Sequence, residues 1–227
     1  MTTTSRASIH GIDGCRAGWV VATRGDRGGR DAPHVAVLDR LDAVEAIAAS
    51  VVGVDMPIGL PVDRPRSADR AARARLGPRR SSVFPTPPRV CLGATTHAEA
   101  SARAREATGT GISVQAFHLL GKIAELDALV DPWAQDDIVE IHPECSFALL
   151  AGEPLPSKKT DDGRERRRAI VEQEFGTLPS VPRGASIDDV LDAFAVLWSA
   201  ERWVAGTALV LGDGERDERG LVMRIVV

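Results

Sequence analysis

The chain has 227 residues, of which 44% are hydrophobic and 26% charged, with a formal net charge of −4. That length suits one large domain, or one domain with an insertion, and the composition is that of an ordinary soluble globular protein. The negative balance argues against a constitutive nucleic-acid coat, no apolar run reaches the ~20 residues of a membrane span, and the absence of tyrosine excludes a tyrosine nucleophile.

Residues 1–7 hold no apolar stretch of the kind a secretory signal needs, and they are expected to be disordered. Cys15, Cys91 and Cys145 are widely spaced and form no CxxC, so neither a disulfide framework nor a zinc knuckle is expected. A reducing cytoplasm fits them best. Arginine outnumbers lysine 25 to 3, a skew that reflects codon composition more than function.

The first predicted strand is Ser8-Ile9-His10-Gly11-Ile12-Asp13-Gly14-Cys15. It continues after a turn as Ala17-Gly18-Trp19-Val20-Val21-Ala22, giving a hairpin with Asp13 near its turn. Gly11 and Gly14 keep bulk away from Asp13, leaving room for a metal or phosphate to approach. A Gly/Arg/Asp turn over 25–32 precedes a third strand at 34–38, then an amphipathic helix over 41–49. Val51-Val52-Gly53-Val54-Asp55 is a fully apolar strand ended by Asp55 and the breaker Pro57.

Residues 64–89 carry eight arginines against one acid, Asp69. This stretch could track a nucleic-acid backbone, or be a solvated helix face. A helix is predicted over 67–76 with Ser67 as N-cap, then a proline-rich loop. Two more helices follow over 97–107 and 113–130, the second amphipathic through Val114, Phe117, Leu120, Ile123, Leu126 and Leu129. Residues 61–131 read as an arginine-rich insertion of loops and helices within a single domain spanning 1–227. A short strand at 138–141 runs into His142-Pro143-Glu144. Helices are predicted over 145–151, 163–175 and 186–204, the last opening on a capping box with Asp189 in place of the usual Glu. A closing strand is predicted over 220–226.

Asp13, Asp55, Glu144 and the group Asp188/Asp189/Asp192 lie in four separate segments, each at a strand end or a helix start. Singly, each has a structural explanation, as a turn or a helix cap. Asp192 is the hardest to excuse, because it sits beside Val190, Leu191 and Phe194. Like charges at i,i+3 and i,i+4 are destabilising without a cation, so jointly these acids point to a Mg²⁺ or Mn²⁺ site. Two such ions ~4 Å apart can drive an in-line phosphodiester displacement. His142 can serve as a general base or be a hydrogen-bonded loop histidine. Lys158 and Lys159 can hold a phosphate as point charges.

Gly11-Ile12-Asp13-Gly14-Cys15 with Gly18-Trp19, Val54-Asp55-Met56-Pro57-Ile58-Gly59-Leu60, Arg66-Ser67-Ala68-Asp69 and Gly121-Lys122-Ile123 resemble one family. So do Glu140-Ile141-His142-Pro143-Glu144, Ser157-Lys158-Lys159-Thr160 and Asp188-Asp189-Val190-Leu191-Asp192-Ala193. It is a domain-of-unknown-function family of predicted RNase H-like nucleases, and the resemblance covers essentially the whole chain. It implies an α/β ribonuclease H-like fold: a five-stranded mixed sheet with its first three strands antiparallel, flanked by helices, here with a helical and loop insertion after the fourth strand. It also implies metal ligands at Asp13, Asp55 and Asp192, with Asp189 as in junction-resolvase-like members. Glu144 departs from the family's usual pattern and is either a further catalytic acid or a substrate-positioning group. Arg66, Lys122, His142, Lys158 and Lys159 fall on the substrate side.

The leading expectation is a Mg²⁺- or Mn²⁺-dependent nuclease acting on nucleic acid. Sugar-kinase and actin-like phosphotransferases share the fold, but they pair two such domains. A binding protein that merely retains the acids is the third alternative.

Overall fold

The computed structural model describes residues 8–24, 32–41 and 51–227. The segment 1–7 and most of the predicted turn over 25–32 and helix over 41–49 lie outside the described residues. Five strands, β1 (Ile9–Cys15), β2 (Gly18–Thr23), β3 (His34–Leu38), β4 (Val51–Val54) and β5 (Ile138–Glu140), form one sheet in the order β3-β2-β1-β4-β5. β1, β2 and β3 are antiparallel neighbours, whereas β4 runs parallel to β1 and β5 parallel to β4. This mixed sheet, flanked by helices, is the ribonuclease H-like arrangement.

The helices are α1 (Ser67–Leu76), α2 (His97–Thr108), α3 (Val114–Leu129), α4 (Pro143–Ala151), α5 (Asp161–Phe175) and α6 (Ile187–Val204). A small second sheet pairs β6 (Val210–Leu211) with β7 (Ile225–Val226). Strand alternation splits the core into two layers. On one face Ile12, Trp19, Val21, Val52 and Val54 pack against Ile123 and Leu126 of α3. On the other, Val20 and Ala22 pack against Val190, Leu191, Phe194 and Leu197 of α6 and against Phe147 and Val171. Phe194 and Leu197 are fully enclosed, each contributing about 2 kcal/mol relative to exposure. The amphipathic stripe of α3 therefore builds a layer of the core itself.

Two glycines set how close α6 lies. A Cβ on Gly11 would sit 2.2 Å from both Ala193 O and Leu197 N, and one on Gly53 would sit 3.0 Å from Val196 Cγ1 and 3.1 Å from Ala200 Cβ. The space beside Gly11 is thus filled by α6, and that beside Gly14 by the Lys122 stem at 2.9 Å. Gly11 thus serves helix packing, and Gly14, packed by the Lys122 stem, also lines the cavity with Asp13.

Several boundaries differ from expectation. β1 runs on through Asp13 to Cys15, so Asp13 lies within a strand whose turn falls at Arg16 and Ala17. The N-cap of α1 is Arg66, while Ser67 donates its hydroxyl to Asp213 and its backbone N–H to Glu215. Helix α4 starts at Pro143, where a missing N–H is tolerated. Helix α5 starts at Asp161, because the Thr160 hydroxyl accepts from Gly163 N–H. The closing strand is only Ile225–Val226. The capping box of Ser186 and Asp189 forms as the sequence indicates. All three cysteines are free and buried. Among the described residues no helix is long and apolar enough to cross a membrane.

Candidate active site

The parallel pairing of β1 with β4 places Ile12 opposite Val54, so the next residues, Asp13 and Asp55, emerge side by side at the same sheet edge. The Asp55 N–H donates to Ile12 O at 2.8 Å, fixing that neighbourhood. Helix α6, drawn in over Gly11, brings Asp192 to the same place. All three carboxylates line one cavity of about 460 Å³, together with His142, Glu144, Lys158, Lys159 and Asp189. Asp13 is 8% exposed and Asp192 3%; Asp55 is half-buried.

Burial and mutual repulsion govern their charges. Burial pushes Asp13 well above the usual carboxylate range, and Asp55 and Asp192 push it further, against the pull of Lys158. Asp55 rises to about 6, chiefly through burial and then Asp192, opposed by His142 and Lys158. Burial also raises Asp192, against the opposing pull of Lys158. Lys158 Nζ donates to Asp192 Oδ2 at 2.5 Å, and the other oxygen, Asp192 Oδ1, is buried without a partner. Burial pulls Lys158 down, but Asp192, Asp13 and Asp55 outweigh it and raise the lysine. His142 rises to about 9: burial opposes its proton, and Cys145 with the carboxylates of Asp55 and Glu144 outweighs that.

The remaining residues singled out in the sequence fall into distinct places. Asp189 lines the cavity, but its Oδ2 accepts from Ser186 N–H at 2.7 Å as part of the helix cap. Glu144 accepts both bonds of a fork from Arg167, at 2.9 and 2.7 Å, and Arg167 is 1% exposed. The same guanidinium donates to Pro156 O at 2.9 Å, so Glu144 anchors the turn that carries Lys158. Arg66 is also 1% exposed and is spent on Asp69 and Glu140, each at 2.6 Å, and on the carbonyls of Ile58 and Gly59. Lys122 stands outside the cavity lining, with Nζ 4.4 Å from the centroid of the Trp19 ring and donating to Gly18 O. Lys159 lines the cavity and is exposed.

Within the arginine-rich stretch Arg66 and Arg89 are paired with carboxylates, whereas Arg70 and Arg73 donate to backbone carbonyls and keep their charge. Arg79, Ser81 and Ser82 line the same cavity as the acids, and sequence reasoning did not single them out. The available signal was Gly77-Pro78, a rigid start to the 3₁₀ turn that presents them.

A divalent ion would find suitable donors here: hard oxygens from three separate elements, one of them orphaned and buried. Among the described residues no three His, Cys, Asp or Glu side chains stand as a ready-made ligand set. In this arrangement the Lys158 ammonium supplies the positive charge that the carboxylates need.

Fold and cavity together define a ribonuclease H-like α/β domain with a carboxylate-lined cavity at its strand ends. The chain belongs to the DUF429 family, described as a protein of unknown function, whose profile matches residues 11–216. No curated protein matches the sequence. A structure of RuvC from Thermus thermophilus aligns at 14% identity over 88% of this chain and 97% of that chain, with a TM-score of 0.37.

Proposed function

We propose that this protein is a divalent-metal-dependent hydrolase of phosphodiester bonds in nucleic acid. The observation that carries the reading is the convergence of Asp13, Asp55 and Asp192 on one cavity, where Asp55 and Asp192 raise the cost of ionising Asp13 and Asp192 raises that of Asp55. Asp13, Asp55 and Asp192 would hold Mg²⁺ or Mn²⁺, with Asp189 available once its cap bond is released. The chemistry such an ion would supply there is Lewis acidity, toward a water and toward the leaving oxygen. Lys158, freed from Asp192, and Lys159 then face a substrate phosphate as point charges. His142, protonated at neutrality, gives a proton to the departing oxygen, a role worth ~10²–10⁴-fold in general acid catalysis. The proton lost by water passes to a cavity carboxylate. Glu144, through Arg167, holds the Lys158 turn in place.

The test is a panel of single-stranded, duplex, hybrid and branched nucleic acids incubated with Mn²⁺, comparing wild type with Asp192→Asn. Cleavage by wild type that falls to background in the variant supports the proposal. Activity that survives the substitution points to another site or a contaminant, and no cleavage of any substrate removes the nuclease reading.

A second reading, a binding protein that retains the acids without catalysis, draws support from Lys158 sitting on Asp192. Mn²⁺ binding by wild type that disappears in Asp13→Asn would count against it.

A further inference from the structure

We infer that Arg79, with the hydroxyls of Ser81 and Ser82, forms a phosphate-binding subsite on the cavity wall that seats the backbone of the nucleic acid beside the carboxylates. The inference deepens the hydrolase reading and rests on it for the identity of the anion. The starting observation is a difference among arginines. Arg66, Arg89 and Arg167 each lie against carboxylates that satisfy their charge. Arg79 makes no ion pair and no side-chain hydrogen bond among the described residues; its Nε is buried without a partner, as are those of Arg89 and Arg167, but those two are met by carboxylates at their terminal nitrogens. An enclosed guanidinium N–H with no acceptor costs about 1–3 kcal/mol, a penalty that an incoming oxyanion would relieve.

The local backbone aims these groups together. Residues Gly77–Ser82 form a 3₁₀ turn with Pro78 in its first positions. At three residues per turn, Arg79 and Ser82 stand on the same side. Both line the cavity, as does Ser81, whereas the neighbouring Arg80 is exposed and does not. The planar fork of arginine matches two phosphate oxygens, and two hydroxyls can donate to the others. Two of the other cavity cations are engaged, Arg66 by Asp69 and Glu140 and Lys158 by Asp192. Arg79 is thus free for a ligand before any metal binds. One cavity is thus lined both by acids that can hold a cation and by Arg79, which can hold a phosphate.

The experiment is fluorescence anisotropy of labelled oligodeoxythymidylate of about twelve nucleotides, titrated with protein in EDTA over a range of salt. Arg79→Ala should weaken binding about tenfold and reduce the slope of log Kd against log salt by about one phosphate contact. Arg79→Lys should fall between, Arg80→Ala should match wild type, and all should melt as wild type does. The inference is overturned if wild type does not bind, if Arg79→Ala binds as wild type, or if Arg80→Ala loses as much. A parallel Mn²⁺ melting shift on wild type and Asp13→Asn reads the metal site separately. An Arg79-dependent oligonucleotide with no Mn²⁺ shift upholds the subsite while removing the hydrolase reading; a Mn²⁺ shift with no Arg79 dependence does the reverse.

Discussion

Lys158 Nζ lies 2.5 Å from Asp192 Oδ2, while the second oxygen of that carboxylate is buried with no partner. The lysine also acts on Asp13 and Asp55, so one ammonium reaches three acids from three elements, with His142 aiding it at Asp55 and Arg167 at Asp192. A divalent ion entering among them competes with it. Lys158→Ala is expected to lower metal-free stability by about 1 kcal/mol, a partly exposed pair being worth less than a buried one. The same variant should show a larger Mn²⁺-induced melting shift than wild type and weaker cleavage. Denaturant unfolding in EDTA and melting with Mn²⁺ read the first two effects. A smaller Mn²⁺ shift in the variant would show that the lysine assists the ion.

Asp55 and His142 both make stability depend on pH in the same sense. Asp55 rises from 3.8 to about 6 on folding, so the native state holds more protons than the unfolded chain between those values. Stability present below the lower value is lost as pH climbs through about 6. His142, raised from 6.5 to about 9, adds stability that is lost as pH climbs through about 9. Asp13, Asp192, Glu140, His142 and Lys158 are the charged groups acting on Asp55. Metal-free protein should therefore melt progressively lower from mildly acidic to alkaline pH, while the Mn²⁺ shift grows as the carboxylates lose their protons. Melting curves with EDTA and with Mn²⁺ across that range check both slopes, and a flat metal-free profile would contradict the assignment.

Arg66 joins the start of α1 to β5 through Asp69 and Glu140, and to the β4 exit through two carbonyls. Removing it strands two enclosed carboxylates. Arg66→Ala should destabilise the fold by about 3–5 kcal/mol. Arg66→Lys, which keeps the charge and loses the fork, should recover only part of that. Equilibrium unfolding in urea measures the difference, and a neutral Arg66→Ala would mean the network is dispensable.

Much of this was legible in the chain because apolar runs end abruptly in acids. Asp13, Asp55 and Asp192 stand out against Ile12, Val54 and Leu191, and the Asp189 cap follows from its spacing to Ser186. What local sequence conceals is partnership across the chain. Glu144 reads as a free acid until Arg167 is brought onto it from α5. Arg66 and Arg79 look alike in an arginine-rich stretch, yet one is saturated and the other is not. Gly11 is small for the sake of α6, a reason that exists only once the helix has docked. The α3 stripe announced an amphipathic helix, but its apolar pattern alone did not say that it would cover a face of the main sheet.

The three sealed thiols give the molecule its own local sensors. Cys15 lies two residues beyond Asp13 on β1 and Cys145 directly follows Glu144, whereas Cys91 belongs to a separate cluster with Ala100, Ala104 and Leu120. A maleimide can reach each sulfur only when its surroundings open. Labelling rates, resolved by peptide, would therefore report the opening of three separate clusters: Cys15 that under α6, Cys145 that between α1 and α4, and Cys91 that beside α2.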